Sequence, residues 1–373
     1  MGGEEIDFEA EGLLEGLEGA DRQERLALLR RLAAQGVQIE ELRRNVEAGR
    51  LVFLLADRVI GGPRSLTAQD VVEQSGISLE FLLASRRAMG LPIPEPGEAA
   101  FTDDDLESAR RSVFATGAGI TEEDMLELLR VLGHGLSQAA ETMRALPLKL
   151  VLRAGISELE LAEHYGEAVA HLYPMVDPLM SHILSLHLRH ATETDIVGAA
   201  ERDGGRLPGS RQVAIGFADL VGFTRLGEEV PPDELGRLSA RLEAIALEVA
   251  APPVRLVKTI GDAVMIASPE PEPLVEAALG LIDVAEREGG DFPELRAGAA
   301  LGAALARAGD WFGRPVNLAS RITSVARPSS LLVDDRLYQS VGSGFRASFA
   351  GERRLKGIRE PVALFRMRRA EGA

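Results

Sequence analysis

The chain has 373 residues, of which 46% are hydrophobic and none is cysteine. This length and composition suit two folded domains, and they exclude disulfides, thiolate nucleophiles and cysteine-ligated metal sites. The formal net charge of -17 disfavours nucleic acid and acidic membranes as partners. We find no apolar run of transmembrane length and no secretory signal, so we expect a cytoplasmic protein.

The acidic excess lies entirely in the N-terminal half. Residues 1–205 hold 19 Lys and Arg against 36 Asp and Glu, whereas residues 206–373 hold 22 of each. Lysine is rare, since only Lys149, Lys258 and Lys356 stand beside 38 arginines. A position that keeps lysine in this background is a candidate for a site that needs a compact ammonium rather than a planar guanidinium.

The N-terminal part, residues 1 to about 200, is predicted to be an all-α domain. Its apolar residues recur at helical spacing in three long segments, at residues 22–36, 125–146 and 159–200. Prolines interrupt the pattern before Thr102, which is the expected N-cap of the next helix. We expect a linker helix from about Pro178 to Ala200 and a polar, glycine-containing linker over residues 201–211.

Strands dominate the pattern after this linker. In chain order we expect a strand, a helix, a hairpin, a helix, a strand, a helix and three strands, at residues 212–220, 231–250, 255–268, 273–289, 295–305, 315–326, 330–334, 345–355 and 361–369. The first elements follow the order β-α-β-β-α-β of a ferredoxin-like unit, with additions at the C-terminal end. The chain is therefore predicted to be an α+β protein, with its ferredoxin-like domain over residues 212–373.

Two aspartates stand where strands of this unit end. Asp219 closes the first strand, and Asp262 follows the glycine of the hairpin turn. In a β-α-β-β-α-β unit the first strand lies beside the hairpin, so both carboxylates can meet at one end of the sheet. Two carboxylates there repel each other unless a cation joins them, and a hard divalent ion bound to phosphate is a common solution.

Residues 212 to about 368 resemble the class III nucleotidyl cyclase catalytic domain. The resemblance rests on spaced motifs in the family's order, namely FADLVGFT, VKTIGDAVM, GDWFGRPVNLASRI and LKGIREPVALFRM. It implies conversion of ATP to 3',5'-cyclic AMP and pyrophosphate. It also implies that Asp219 and Asp262 hold two Mg2+ or Mn2+ ions, which activate the ribose 3'-hydroxyl and neutralise charge at the attacked phosphate.

Lys258 and Asp310 fall on the family's base-selecting positions. An ammonium can donate to N1 of adenine and a carboxylate can accept from its exocyclic amine, whereas guanine presents the reverse pattern at those edges. The resemblance therefore implies ATP rather than GTP as the substrate. Without it, a strand lysine at the surface and an aspartate in a turn would explain the two residues.

Asn317 and Arg321 lie four residues apart, hence on one face of a predicted helix. By resemblance, Asn317 orients the ribose, Arg321 stabilises charge on the α-phosphate in the transition state, and Lys356 binds the triphosphate. The family draws the metal aspartates from one catalytic domain and the other residues from its partner. Since this chain carries both sets but one such domain, we expect an active homodimer with two equivalent sites and an inactive monomer.

All six histidines lie in the helical half, at His134, His164, His171, His182, His187 and His190. Histidine changes charge near neutral pH, at an unperturbed pKa of about 6.5. A helical domain followed by a cyclase domain also resembles the autoinhibited, acid-activated adenylyl cyclases of actinobacteria. We therefore take the histidines as candidate pH sensors whose protonation releases an inhibition. Taken singly, each is also explained as an ordinary surface or core residue.

Residues 66–111 suggest a rival function. They resemble a helix-turn-helix of the MerR type, which would make the chain a transcription regulator with a silent, nucleotide-gated cyclase-like domain. The acidity of this half and the mostly apolar would-be recognition helix, residues 79–87, argue against DNA binding. We expect the segment to serve dimer packing or ligand sensing. The apolar interior of this half also offers space for a lipid or other small effector.

Overall fold

The computed structural model describes residues 6–194, 210–290 and 292–370. The chain divides into two compact units, Met1–Ile196 and Val197–Ala373. The predicted linker at residues 201–211 lies outside the described residues except for its last two, and so does the predicted linker helix from residue 195 onward. Within the described ranges, no helix is both long enough and apolar enough to cross a membrane.

The N-terminal unit is helical throughout its described part, as predicted. Thr102 caps the sixth helix as expected, because its hydroxyl accepts a hydrogen bond from the backbone N–H of Asp105 at 3.3 Å. Single 3-10 turns at Leu51–Phe53 and Tyr173–Met175 precede the third and ninth helices. The helices, numbered α1 to α9, span Gly19–Ala34, Ile39–Glu47, Leu54–Gly61, Ala68–Ser75, Leu79–Ala88, Asp103–Gly117, Glu122–Val151, Glu158–Leu172 and Val176–Thr194.

Three hydrophobic cores stabilise the described part of this unit, and the third joins α3 to α8 around Tyr165 and Val169. Helices α1 to α3 pack with α8 around fully buried leucines such as Leu28 and Leu42. Helices α4 to α6 enclose a second core around Phe81 and Phe101, and a backbone bridge from Leu66 to Phe101 closes it. Burial of these apolar side chains supplies the main driving force for folding of each helix cluster.

Helix α7 crosses the end of α5 at a glycine. A Cβ added to Gly133 would lie 2.6 Å from Cα of Met89, so the two backbones touch with no side chain between them. Glycine permits this approach because it has no Cβ. The contact fixes the C-terminal end of α5, the would-be recognition helix of the MerR-like segment, against α7.

The C-terminal unit is built on one mixed sheet. The strand order is β2-β3-β1-β4-β6-β8-β7, and β5 pairs with β4. Of these pairs, β4–β6 is parallel and the others are antiparallel in the described residues. Strands β1 to β8 span Arg211–Leu220, Arg255–Ile260, Ala263–Ser268, Leu295–Arg307, Asp310–Phe312, Ser330–Asp334, Phe345–Arg353 and Val362–Arg369. Helices α10 to α14 span Phe223–Glu229, Pro232–Val249, Pro271–Glu288, Arg314–Val325 and Asp335–Gln339.

The beginning of this unit has the predicted ferredoxin-like order. Elements β1, α11, β2, β3, α12 and β4 follow one another as β-α-β-β-α-β, and β6, β8 and β7 extend the sheet beyond β4. Sequence periodicity did not predict strand β5 or helices α10 and α14. Segments of three, seven and five residues are too short to show a period.

Helices cover both faces of the sheet. Helices α11 and α12 pack on one face through residues such as Leu242 and Leu274, and α13 packs on the other through Leu318. A Cβ on Gly298 of β4 would lie 2.2 Å from the backbone nitrogen of Thr323 in α13. The missing side chain lets α13 rest directly on the sheet, so its outward face has a fixed position.

A buried carboxylate, Asp334, joins the sheet to helix α14. The residue is 4% exposed, and its Oδ1 accepts hydrogen bonds at 3.2 Å from the N–H groups of Leu301 and Leu337. Burial raises the pKa of this carboxyl, although both N–H donors act in the opposite direction. Because the folded-state pKa exceeds the unfolded one, Asp334 costs no stability below the unfolded pKa. It destabilises the fold as the pH rises through the folded pKa.

We expect Asp334→Asn to flatten the pH dependence of stability in this unit above the usual titration range of aspartate, because asparagine accepts hydrogen bonds but never ionises. Asp334→Ala should lower the free energy of unfolding by about 1–3 kcal/mol, since two N–H groups lose their acceptor. Urea unfolding followed by fluorescence of Trp311, the single tryptophan, reports on this unit. The same pH slope in the wild type and in Asp334→Asn would contradict the buried-charge explanation.

Candidate active site

Asp219 and Asp262 lie at the same end of the sheet. In the antiparallel pairing of β1 with β3, Asp219 is opposite Ala263, and the N–H of Leu220 donates to the carbonyl oxygen of Asp262 at 3.0 Å. Asp262 itself occupies the turn between β2 and β3. The structure therefore brings together the two carboxylates that the sequence suggested as metal ligands.

The two carboxyl groups oppose each other electrostatically. Burial is the main cause that raises the pKa of Asp262, and the negative charge of Asp219 raises it further. Carboxylate oxygens are the ligands that Mg2+ and Mn2+ prefer. In the part of the chain that the structure describes, no group of three or more His, Asp or Glu is arranged to hold a metal. The pair supplies oxygen ligands of the kind that a hard divalent ion binds.

Arg296 is a site residue that sequence reasoning missed. It lies on β4 directly opposite Asp219 on β1, and its Nε and Nη2 donate to Oδ2 of Asp219 at 2.9 and 2.5 Å. Both bonds go to one oxygen, so Oδ1 of Asp219 accepts nothing from this arginine. The signal in the sequence was an arginine near the start of the apolar strand LRAGAALGAAL, where burial requires a partner.

Lys258 and Asp310 form an ion pair across 52 residues of sequence. A bulge in β2 between Leu256 and Lys258 shifts the register beside the lysine, and Asp310 opens the short strand β5. Oδ1 of Asp310 accepts from the N–H of Trp311 at 2.8 Å. The two side chains are 37% and 29% exposed, so solvent reaches a donor and an acceptor placed side by side.

Both polar pairs belong to the sheet face that α13 covers. Lys258 is paired with Met265, and Asp219 follows Phe217 by two residues; Met265 and Phe217 are part of the core beneath α13. Directly paired residues share a face, and so do residues two apart along a strand. One face of the sheet therefore carries both the acidic pair and the Lys258–Asp310 pair.

Asn317 and Arg321 are exposed on α13, and Lys356 is exposed after β7. Among the described residues, the side chains of these three make no hydrogen bond or ion pair. Within one chain the structure therefore joins them neither to the acidic pair nor to the Lys258–Asp310 pair. They present two hydrogen-bonding cations and an amide to the surroundings.

Large apolar side chains are exposed next to the polar pairs. Ile260, two residues before Asp262, is 50% exposed, and Phe312, two residues after Asp310, is 54% exposed. Exposed apolar side chains grouped beside polar ones are typical of protein interfaces. This part of the surface is a candidate contact area.

The six histidines lie on three helices of the N-terminal unit, α7, α8 and α9. All are exposed except His164, which is half-buried. A ring nitrogen of His134 lies 3.4 Å from Nε2 of Gln138, and Nδ1 of His171 lies 2.8 Å from the carbonyl oxygen of Glu167. These are local contacts within one helix, and a role in pH sensing stays a prediction.

Comparison with protein families divides the chain into two matched regions. Residues 6–192 match the family described as the adenylate cyclase regulatory domain. Residues 207–368 match the family described as the adenylate and guanylate cyclase catalytic domain. The second region includes every residue of the site described above.

Individual proteins match over most of the chain. It is 43% identical to a pH-sensitive adenylate cyclase of Mycobacterium tuberculosis (strain CDC 1551 / Oshkosh), over 97% of this chain and 92% of the relative. It is 34% identical to an adenylate cyclase of Streptomyces coelicolor, over 76% of this chain and 74% of that protein. The solved adenylyl cyclase CyaB from P. aeruginosa matches 44% of this chain and 96% of its own, at 22% identity and a TM-score of 0.36. The family matches and the mycobacterial relative place this chain in the class III adenylate cyclase family, with a regulatory domain preceding the catalytic domain.

Proposed function

We propose that the chain converts ATP to 3',5'-cyclic AMP and pyrophosphate at the interface of a homodimer, under control of its N-terminal unit. One observation carries the proposal: a single sheet face holds two separate polar pairs, Asp219 with Asp262 and Lys258 with Asp310. We take residues 1–200 as regulatory and residues 212–373 as catalytic, a division that the two family matches support. The relatives named adenylate cyclase support the reaction.

Asp219 and Asp262 would hold the divalent ions, Mg2+ or Mn2+. Two such ions, when bound, supply activation of the ribose 3'-hydroxyl and neutralisation of phosphate charge. The burial that raises the pKa of Asp262 makes an unpaired carboxylate costly there, which favours ligation of a cation. Arg296 donates two hydrogen bonds to Oδ2 of Asp219. These bonds orient the carboxylate and leave Oδ1 available as a metal ligand.

The Lys258–Asp310 pair would select the base. The ammonium has three donors, so it can keep its bond to Asp310 and still donate to N1 of adenine. The carboxylate can accept from the exocyclic amine of the same base. The ion pair and the N–H of Trp311 hold the side chain of Asp310 in place before substrate binds. Substrate binding therefore costs little further conformational entropy of this side chain.

Asn317, Arg321 and Lys356 would act on the ribose and the phosphates. Arg321 can stabilise the negative charge that develops on the α-phosphate as the 3'-oxygen attacks and pyrophosphate leaves. Asn317 can hold the ribose so that the 3'-oxygen faces the phosphorus atom. Lys356 can bind triphosphate oxygens and neutralise part of the charge on the leaving group. All three side chains are exposed and make no hydrogen bond or ion pair among the described residues of one chain, which leaves them available to a second chain.

Two exposed apolar surfaces support the homodimer. The first contains Ile260 and Phe312 beside the site. The second lies on α9, where Leu179, Ile183 and Leu186 are 53%, 40% and 49% exposed. Their spacing of four and then three residues is that of a two-stranded coiled coil. Burial of both surfaces against a second copy would remove apolar area from water, and it would bring Arg321 of one chain toward the acidic pair of the other.

Acid pH is the proposed signal to the N-terminal unit. The mycobacterial relative is named pH-sensitive, and all six histidines of this chain lie in the N-terminal unit. Five of them are exposed to solvent. In this proposal the neutral form inhibits the catalytic unit and the protonated form releases it. A lipid or another small effector in the N-terminal unit is the alternative input.

Mixing two inactive variants should restore activity. Asp219→Asn and Arg321→Ala each remove one residue from both sites of a homodimer, whereas a heterodimer of the two has one intact site. Random subunit exchange makes half of the dimers heterodimers, so we expect about one quarter of wild-type cyclic AMP formation. The matched control mixes Asp219→Asn with Asp262→Asn, which affect the same half of each site and should stay inactive. Equal activity in both mixtures would refute the shared site.

Exchange of charges in the base-selecting pair should change substrate preference. Lys258→Glu combined with Asp310→Lys keeps the ion pair but reverses donor and acceptor, so we expect cyclic AMP formation to fall by about tenfold or more. The ratio of GTP to ATP turnover should rise. Lys149→Glu, which changes an exposed lysine on α7, is the matched control and should leave both rates unchanged. An unaltered GTP to ATP ratio in the double variant would remove this pair from the site.

Regulation is tested by comparing the activity of the whole chain with the activity of residues 206–373. Both proteins are first verified to be dimers, and the ratio of the two activities is measured. Cyclic AMP formed from ATP with Mn2+ is measured at about pH 5.5 and about pH 8, on either side of the histidine titration. We expect the ratio to be low at the higher pH and to approach one at the lower pH, because protonation releases the inhibition. A ratio that does not change with pH would exclude pH control through the N-terminal unit.

A further inference from the structure

A polar cavity in the N-terminal unit lies outside the catalytic site. It has a volume of about 340 Å3. Its walls come from helices α2 and α3, from the turn between them, and from the loops that precede α4 and α6. The lining residues are Glu41, Arg44, Asn45, Arg50, Phe53, Leu54, Asp57, Arg64 and Glu98.

Ion pairs fix most of the charged groups in this wall. Nη1 of Arg44 donates to Glu98 at 2.7 Å, and Nη2 of Arg64 donates to Asp57 at 3.0 Å. The first of these pairs connects α2 to the loop before α6, because Arg44 and Glu98 are 54 residues apart in the sequence. Both pairs are exposed to solvent, so they satisfy these charged groups at the rim but add little to its rigidity.

The carboxylate of Glu41 is also engaged. It accepts from Nη2 of Arg58 at 2.9 Å, and both side chains are nearly buried, at 14% and 12% exposure. Glu41 lines the cavity, whereas Arg58 lies behind this part of the wall and is not in the lining. Breaking a buried pair of this kind is strongly unfavourable, so Glu41 is not available to another cation.

Arg50 is the arginine of the lining that is not paired with any of these carboxylates. Within the described ranges it has no ion pair or side-chain hydrogen bond, although it lines the cavity. Its backbone is held in place, since its N–H donates to the carbonyl oxygen of Asn45 at 2.8 Å and its own carbonyl accepts from Phe53. The lining holds three arginines and three carboxylates, but Arg58 pairs with Glu41 from behind the wall, so the charge of Arg50 is left without a paired carboxylate in the cavity.

The cavity also has an apolar side. Phe53 is half-buried, and its ring packs edge-on against Tyr165, with centroids 5.3 Å apart and an interplanar angle of 77°. Leu54 lies beside it in the lining. Phe53 and Leu54 therefore give the lining an apolar part, and the contact with Tyr165 holds the ring of Phe53 in place.

Because the unpaired Arg50 lines the same cavity as the apolar side chains of Phe53 and Leu54, we infer a binding site for a small organic anion with an apolar body, such as an aromatic carboxylate. The guanidinium fork would take the carboxylate, and the apolar body would pack on Phe53 and Leu54. The volume is at the lower end for ligand pockets, which fits a molecule of this size and not a long acyl chain.

Such a ligand would bind at a junction in the fold. Leu54 belongs to the core of α1 to α3 and Phe53 packs on a core shared with α8, whereas Arg64 and Glu98 lie on the loops that lead into α4 and α6. A molecule that contacts both sides would couple the two helix clusters of the N-terminal unit. This inference does not depend on the cyclase reaction or on pH control.

The test is a titration of the full-length protein with benzoate, followed by calorimetry. Benzamide has the same shape without the charge, and inorganic phosphate has the charge without the apolar body. We expect saturable benzoate binding at one site per chain, with benzamide and phosphate each at least about tenfold weaker. Arg50→Gln should weaken benzoate binding by about tenfold or more, and Arg50→Lys should retain part of it, since the charge remains without the fork.

Arg87→Gln is the matched control, because Arg87 is an exposed arginine on α5 outside the cavity. It should bind benzoate like the wild type. Loss of binding in both glutamine variants, or undiminished binding in Arg50→Gln, would overturn the site. So would the absence of saturable binding of benzoate to the wild type. Phosphate binding as strong as that of benzoate would overturn the apolar half of the proposal.

Discussion

The position of β1 between β3 and β4 is the constraint on which the catalytic unit depends. Pairing on one side sets Asp219 beside the hairpin turn that carries Asp262, and pairing on the other side sets it opposite Arg296. The register is held by buried apolar residues such as Val213 and Ile215. A slip by one residue would turn every side chain of β1 to the opposite face. Hydrophobic packing thus forces together two carboxylates that repel each other, and ligation of a cation would relieve that cost.

Helix α13 is the second element that the core positions. The backbone contact at Gly298 and the buried side of the helix fix it on the sheet, so Asn317 and Arg321 keep a defined outward position. The unit therefore holds one group of polar residues on the sheet and presents another on the surface. In the proposed dimer Asn317 and Arg321 would serve the acidic pair of the other chain, and their outward position leaves them available for it.

The sequence was sufficient to predict the site residues that a local pattern or a family motif indicates. Asp219 and Asp262 stand at strand ends, and Lys258 is one of three lysines. The contact between Lys258 and Asp310 could not be read from the sequence alone, because it depends on a bulge in β2 and on a strand of three residues. Arg296 was missed for a related reason, because its contact with Asp219 depends on the register between β1 and β4. The helices of the N-terminal unit followed from their apolar periodicity, but its charged cavity arises where separate loops meet and has no periodic signal.

The crossing at Gly133 has a mechanical consequence. Because the backbones of α5 and α7 touch there, no side chain can change rotamer to absorb a displacement of α5. A displacement of α5 at the crossing must therefore displace the backbone of α7 as well. Helix α7 continues from the crossing to Val151, a distance of about 27 Å at the usual rise per residue. Its far end packs through Leu148 and Val151 on the core around Tyr165, so α7 connects the cluster of α4 to α6 with α8.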